Sequence, residues 1–172
     1  MSRRLGLGLC CFLLLAAGIG ALPARGQRSA PSGATLEQLA RHAGFIFRGR
    51  VLSVERGRPA RGAVTTVQVT FEVLEGIRGV RSGERLTIQE WAGLWAAGRP
   101  RYRVGQELLL FLYPRSRLGL TSPVGGELGI LPIDAQGKVL APEPGPGAGP
   151  SGRKPRVPYP EFSERVRRAL EE

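Results

Sequence analysis

Five side chains in one stretch of the sequence have the chemistry of a binding surface. They are two indoles, one phenol and two guanidinium groups, namely Trp91, Trp95, Tyr102, Arg101 and Arg103. Aromatic rings beside guanidinium groups stack on sugars, peptides or bases, and loops between strands often carry them. The alternative is structural, because tryptophan is a highly buried residue on average and both indoles could close one end of a small β-structure. The sequence leaves both interpretations open.

The remaining reactive side chains do not form a catalytic or metal-binding pattern. His42 and Asp134 are the only histidine and the only aspartate, too few ligands for a zinc site. A Ser-His-Asp relay would need both, and no serine has the spacing of a nucleophile elbow. We interpret His42 as an exposed residue of a short helix. We therefore expect no enzymatic activity, no cofactor and no metal.

Three glutamates could in principle serve as a carboxylate pair for glycoside hydrolysis: Glu72, Glu75 and Glu90. Their spacing is typical of solvent-facing strand ends, and we interpret them as surface residues. Residues 76–83 contain glycines but lack the lysine, the following hydroxyl residue and the helix of a phosphate-binding loop.

The clearest structural signal is the alternation of apolar and polar residues at 65–73, which indicates a strand with one buried and one wet face. The continuous apolar run at 108–112 predicts a strand buried on both faces. Gly49 stands at a change of phase in the first strand and predicts a bulge. The other strands are predicted at 45–55, 84–91, 107–113, 127–133 and 138–140. The last two are predicted to pair about a turn at residues 134–137.

Helices are predicted only at the two ends of the domain. Thr35 and Gln38 have the spacing of a capping box at the start of a short helix. Residues 159–172 predict an amphipathic helix. Proline and glycine dominate residues 141–158, which predicts a linker. The globular domain is accordingly assigned to residues 35–140.

These elements predict a mainly β fold. The leading architecture is a small five-stranded OB-like barrel with a Greek-key order, a short amino-terminal helix and a carboxy-terminal helix after the linker. A small β-sandwich is the alternative.

Residues 1–26 have the order of a secretory signal peptide, with Arg3 and Arg4 before an apolar run and a small-residue region. An uncleaved anchor is the alternative. Residues 27–34 are small and polar and predict a flexible lead-in. Cys10 and Cys11 fall inside the predicted signal peptide, so the mature chain would contain no disulfide. We expect a secreted or periplasmic protein that meets the membrane only during export, unless the anchor is retained.

The formal net charge is +11, and +8 remains when the three arginines of residues 1–26 are removed. The basic residues are scattered and do not form a run. We interpret them as a generally basic surface, and nucleic acid is not favoured as a partner.

Three stretches resemble a group of exported bacterial proteins of unknown function: residues 49–55, 73–76 and 102–112. Their fold is similar to the OB barrel of netrin-like and tissue-inhibitor-of-metalloproteinase domains, and the resemblance covers about residues 35–140. It implies a fold more than an activity. The inhibitors place an amino-terminal cysteine on the catalytic zinc, and no cysteine follows residue 26 here, so that mechanism is not implied.

The expected function is that of a monomeric, non-enzymatic binding module. Its partner would be an unknown protein, such as an exported protease, or an envelope polymer. Two alternatives remain open: an enzyme or accessory protein acting on envelope polysaccharide, and a polyanion-binding OB module.

Overall fold

The computed structural model describes residues 35–57, 64–95, 100–141 and 156–171. The predicted signal peptide, the lead-in and most of the predicted linker lie outside the described residues. The described elements are, in chain order, α1 (Leu36–His42), β1 (Phe45–Arg56), β2 (Thr66–Arg78), β3 (Arg85–Trp91), a 3-10 turn (Ala92–Leu94), β4 (Glu107–Leu112), a second 3-10 turn (Gly126–Gly129), β5 (Ile130–Pro132), β6 (Lys138–Leu140), β7 (Arg156–Pro158) and α2 (Tyr159–Glu171).

Five strands form one antiparallel sheet in the order β3-β2-β1-β4-β5, and β6 pairs with β7 in a separate two-stranded sheet. The prediction of a mainly β fold with one short helix and one carboxy-terminal helix is confirmed. Strand pairing in the described part of the chain does not close into a barrel, because the order runs from one free edge at β3 to the other at β5.

The predicted alternation in β2 is confirmed, since Val69, Phe71 and the other apolar residues of that face are buried. We call this the inner face of the sheet. Strand β4 is buried on both faces, as its apolar run predicts: Leu110 joins the inner-face core, whereas Phe111 packs with the helices on the opposite, outer face. The central strand of the sheet is β1, and β4 lies beside it.

The predicted bulge at Gly49 is confirmed by a shift in the β1–β2 register between Arg48 and Gly49. A Cβ atom at Gly49 would lie 2.9 Å from the ring of Phe47, so the position has no room for a side chain. Further register shifts occur on either side of it in β1. Bulges increase the local twist of a strand. The sheet therefore curls, and inner-face residues from β1 to β4 bury one another in one core.

The loop after β4 runs along the outer edge of β3. The N–H of Thr121 donates to the carbonyl of Gln89 at 2.9 Å, and Nη2 of Arg115 donates to the carbonyl of Thr87 at 2.8 Å. The same loop forms an antiparallel bridge to β4 through Pro123. The loop thus contacts β3, at one edge of the sheet, and also β4, which lies near the other edge.

The two helices pack together over the β1–β4 half of the outer face. The capping box of α1 is confirmed, with Thr35 Oγ1 accepting from the N–H of Gln38 and Gln38 Oε1 accepting from the N–H of Thr35. Phe162 and Val166 bury the apolar side of α2. Neither helix in the described ranges has the length and apolar character needed to cross a membrane.

The predicted pairing of the last two segments is present as one antiparallel bridge between Ile133 and Val139, about the turn at residues 134–137. The longer ladders of these strands have other partners, because β5 pairs with β4 and β6 pairs with β7. Residues 126–129 form a 3-10 turn where the strand was expected to begin. Strand β7 lies at the end of the predicted linker. The sequence does not predict it, because a three-residue strand is fixed by a distant partner that local composition does not reveal.

Candidate functional site

Glu90 lies near the end of β3 and is fully buried, so its interpretation as a solvent-facing residue is wrong. It shares the inner face with Ile88, two residues earlier, whereas Trp91 points to the outer face. The two-residue period of β3 indicates that Glu90 is on the buried face. Its charge led instead to the interpretation that it faces solvent.

Three donors converge on the Glu90 carboxylate. The hydroxyl of Tyr102 donates to Oε1 at 2.7 Å, Nε1 of Trp95 donates to Oε2 at 2.9 Å, and Nη1 of Arg101 donates to Oε2 at 3.1 Å. We call these four residues the Glu90 cluster. Three of the five predicted binding side chains therefore meet at one buried carboxylate, which satisfies both of its oxygens.

The Glu90 cluster fixes the described parts of the segment between β3 and β4, residues 92–95 and 100–106, to the core. Arg101 also donates through Nη2 to the carbonyl of Leu94 at 2.7 Å, which ties the loop to itself. The ring of Tyr102 is 1% exposed and makes edge-to-face contacts with Phe71 at 5.6 Å and Trp95 at 5.7 Å. Hydrogen bonds and aromatic packing thus hold the same loop residues.

Burial raises the pKa of Glu90 above its ordinary value, although the three donors act in the opposite direction. Burial also raises the pKa of the Tyr102 hydroxyl, and the charge of Glu90 adds to that effect. A carboxylate without exposed surface, with both oxygens occupied, has no direct access to a ligand. The geometry of the Glu90 cluster suits positioning of the loop.

The raised pKa predicts a pH-dependent stability. The folded chain holds the Glu90 proton more tightly than the unfolded chain, so the contribution of this group is fully present below the unfolded pKa of about 4.3 and is lost as pH rises through the folded value. We expect the free energy of unfolding of the natural chain to fall over this window relative to the Glu90→Gln variant. Urea denaturation of both chains across the window measures the difference. Parallel curves would contradict the prediction.

The other two predicted binding residues are exposed. Trp91 is 49% exposed on the outer face, in register with Thr66 of β2. Its indole lies against Gly93, where a Cβ atom would come within 2.5 Å of the ring. Arg103 is exposed, and its backbone N–H donates to the side chain of Gln106 at 3.2 Å. The five residues thus divide into three that position the loop and two that a ligand can reach.

The two remaining candidates, His42 and Asp134, contact residues close to them in the sequence. His42 is exposed at the end of α1, as predicted, with Nδ1 2.8 Å from the carbonyl of Gln38. Asp134 Oδ1 accepts from the N–H groups of Gln136 and Lys138 in the turn before β6. Among the residues that the structure describes, no three His, Cys, Asp or Glu side chains are grouped to hold a metal ion.

Glu72 and Glu75 each contact an arginine. Glu72 Oε2 lies 3.4 Å from Nη1 of Arg50, and Glu75 Oε1 accepts from Nη2 of Arg167 at 2.7 Å. The second pair joins α2 to the sheet. Neither Glu72 nor Glu75 is buried, which agrees with their interpretation as surface residues. Glu90, in contrast, is buried.

No family model matches this chain, and neither the curated proteins nor the solved structures contain a significant match. Its function is therefore inferred from its own residues.

Proposed function

We propose that this chain is a secreted or periplasmic binding module without enzymatic activity, built on an OB-like barrel. The observation that carries the proposal is the Glu90 cluster, which fixes the β3–β4 loop while Trp91 and Arg103 beside it stay exposed. Exposed groups whose neighbouring residues are already held in place bind a ligand with a smaller loss of conformational entropy.

The barrel is supported by the curl of the sheet. Bulges in β1 increase its twist, and the inner-face residues are buried by other residues of the same sheet. The hydrogen bond from Thr121 to Gln89 brings the loop after β4 to the opposite edge at β3. A small barrel requires its opposite edges to approach each other, and this contact supports such an approach.

A binding role is favoured over catalysis by the position of the carboxylates. Glu90 has its oxygens occupied by donors from the loop, and Glu72 and Glu75 are paired with arginines. What remains accessible near the loop is an aromatic ring and a guanidinium group, a combination typical of recognition surfaces.

Site-specific crosslinking in an exporting cell tests the proposal. A photoreactive residue at position 91 or 103 should capture a cell-envelope partner. The same residue at position 164 of α2, where the natural side chain is 70% exposed, should not. Equal capture at all three positions, or capture at none, would contradict the proposal.

A second measurement separates the module from the enzyme alternative. The purified chain is incubated with cell-envelope polysaccharide, and newly formed reducing ends are measured. We expect no release. Release that is abolished by Glu72→Gln would establish the hydrolytic alternative in place of the binding module.

A further inference from the structure

The outer face of the sheet has an open half on β1, β2 and β3. The helices pack over β1 and β4, and among the described residues this other half carries exposed or partly exposed side chains. Cross-strand register sets its polar side chains in rows, with Gln68 opposite Gln89 and Thr70 opposite Thr87. Together with the neighbouring strand they form what we call the amide-hydroxyl face: Ser53, Thr66, Gln68, Thr70, Thr87 and Gln89.

Among the described residues, the six side chains of the amide-hydroxyl face are uncharged, and charged side chains adjoin them. At one end Glu72 is opposite Arg85 and also contacts Arg50, so opposite charges are adjacent. On β1, Glu55 is in register with Gln68 and so extends the row of Gln68 and Gln89 with a carboxylate. The carboxylate of Glu55 beside the amides repels a polyanion, and Arg50 at the opposite end is already paired with Glu72. The charge pattern fits a neutral ligand.

Trp91 borders the same face. Its position in β3 follows Gln89 by two residues, so the indole and the amide point to the same side of the sheet. Contact with Gly93 sets the position of the ring, and half of the side chain remains exposed. A fixed ring of this kind can stack on the apolar side of a sugar, while amides and hydroxyls donate to and accept from sugar hydroxyls.

A peptide strand fits the structure less well. Addition of a strand would use the free edge of β3, where Thr121 and Arg115 already occupy the carbonyls of Gln89 and Thr87. The exposed groups lie on the face of the sheet and not along its edge. This arrangement favours a ligand that is recognised through side chains.

We propose that the amide-hydroxyl face, with Trp91 at its border, binds a neutral polysaccharide strand. The inference rests on the proposed function and names the ligand class of that binding module. The polysaccharide lies across the strands, with one sugar stacked on the indole and its neighbours hydrogen-bonded to the amides and hydroxyls.

Affinity electrophoresis of the full secreted chain tests the inference. The gels contain dextran, hydroxyethyl cellulose or galactomannan, and at least one should retard the natural chain. Trp91→Ala should weaken the affinity by about 30-fold, as for a central aromatic contact, and Gln89→Ala by about 5-fold, as for one hydrogen bond. Gly93→Ala, which displaces the indole, should also weaken it. Glu164→Gln on α2 serves as the matched control and should leave retardation unchanged.

Two further measurements complete the test. Urea midpoints of the variants should equal that of the natural chain, and Gln89→Ala provides an independent result if Trp91→Ala fails to fold. Raising the salt concentration tenfold should change the affinity by less than about 2-fold, because no counterions are released from a neutral ligand.

Three results would overturn the inference: no retardation by any of the three polysaccharides, retardation that Trp91→Ala leaves unchanged, or binding to heparin alone that falls steeply with salt. Crosslinking to a protein at position 91 without retardation would reject the polysaccharide and leave the binding module in place. Absence of both crosslinking and retardation would reject the two proposals together.

Discussion

Replacing Phe71 with alanine is expected to lower the free energy of unfolding by about 3–5 kcal/mol. The side chain is fully buried on the inner face and makes edge-to-face contacts with Phe47 at 5.5 Å and Tyr102 at 5.6 Å. Its removal leaves a cavity between the middle of the sheet and the Glu90 cluster. Urea denaturation followed by circular dichroism measures the loss as a lower midpoint with an unchanged slope.

Thr70→Ala is the matched control, since Thr70 precedes Phe71 and points to the outer face. It loses one hydrogen bond, from its hydroxyl to that of Thr87 at 3.0 Å, which is worth about 1 kcal/mol. Equal losses from the two substitutions would mean that the faces of β2 are assigned incorrectly.

Glu90→Ala is expected to cost about 3 kcal/mol, because it leaves a partly buried cation, the buried hydroxyl of Tyr102 and the partly buried N–H of Trp95 without their acceptor. The reason lies in the unpaired partners and not in the carboxylate itself. A triple variant, Glu90→Leu with Tyr102→Phe and Arg101→Met, should therefore recover most of the loss. Urea midpoints of the single and triple variants measure both effects.

Glu72→Ala is the control for this second prediction. Its side chain is 45% exposed and its ion pair with Arg50 is screened by water, so the loss should stay below about 1 kcal/mol. A Glu90→Ala chain as stable as the natural one would contradict the structural role of the Glu90 cluster.

The sequence predicted the parts of the fold that depend on local pattern. Alternation in β2, the apolar run of β4, the bulge at Gly49 and both helices are written in neighbouring residues and are confirmed. The pairing of β6 with β7 depends on residues 18 positions apart, Val139 and Val157, in strands too short to show a period. Local pattern carries no signal for that contact.

The candidate site was predicted in part. The sequence grouped Trp95, Arg101 and Tyr102 correctly as neighbours but left open whether they contact a ligand or have a structural role. They meet Glu90, which the phase of β3 places inside with Ile88. The polar side chains of the outer face, on the other side of the sheet from Glu90, are indicated by the alternation along β2 and β3. Which of them align across strands depends on register, and register follows from the packing of the whole sheet.

The contacts along the free edge of β3 have a consequence for self-assembly. An open strand with unpaired carbonyls is a template on which a second copy can add, the first step of amyloid-like aggregation. The guanidinium of Arg115 and the amide of Thr121 cover two of these carbonyls with groups from the same molecule. This intramolecular cover opposes the addition of a second copy at these positions and the lateral growth of copies into fibres.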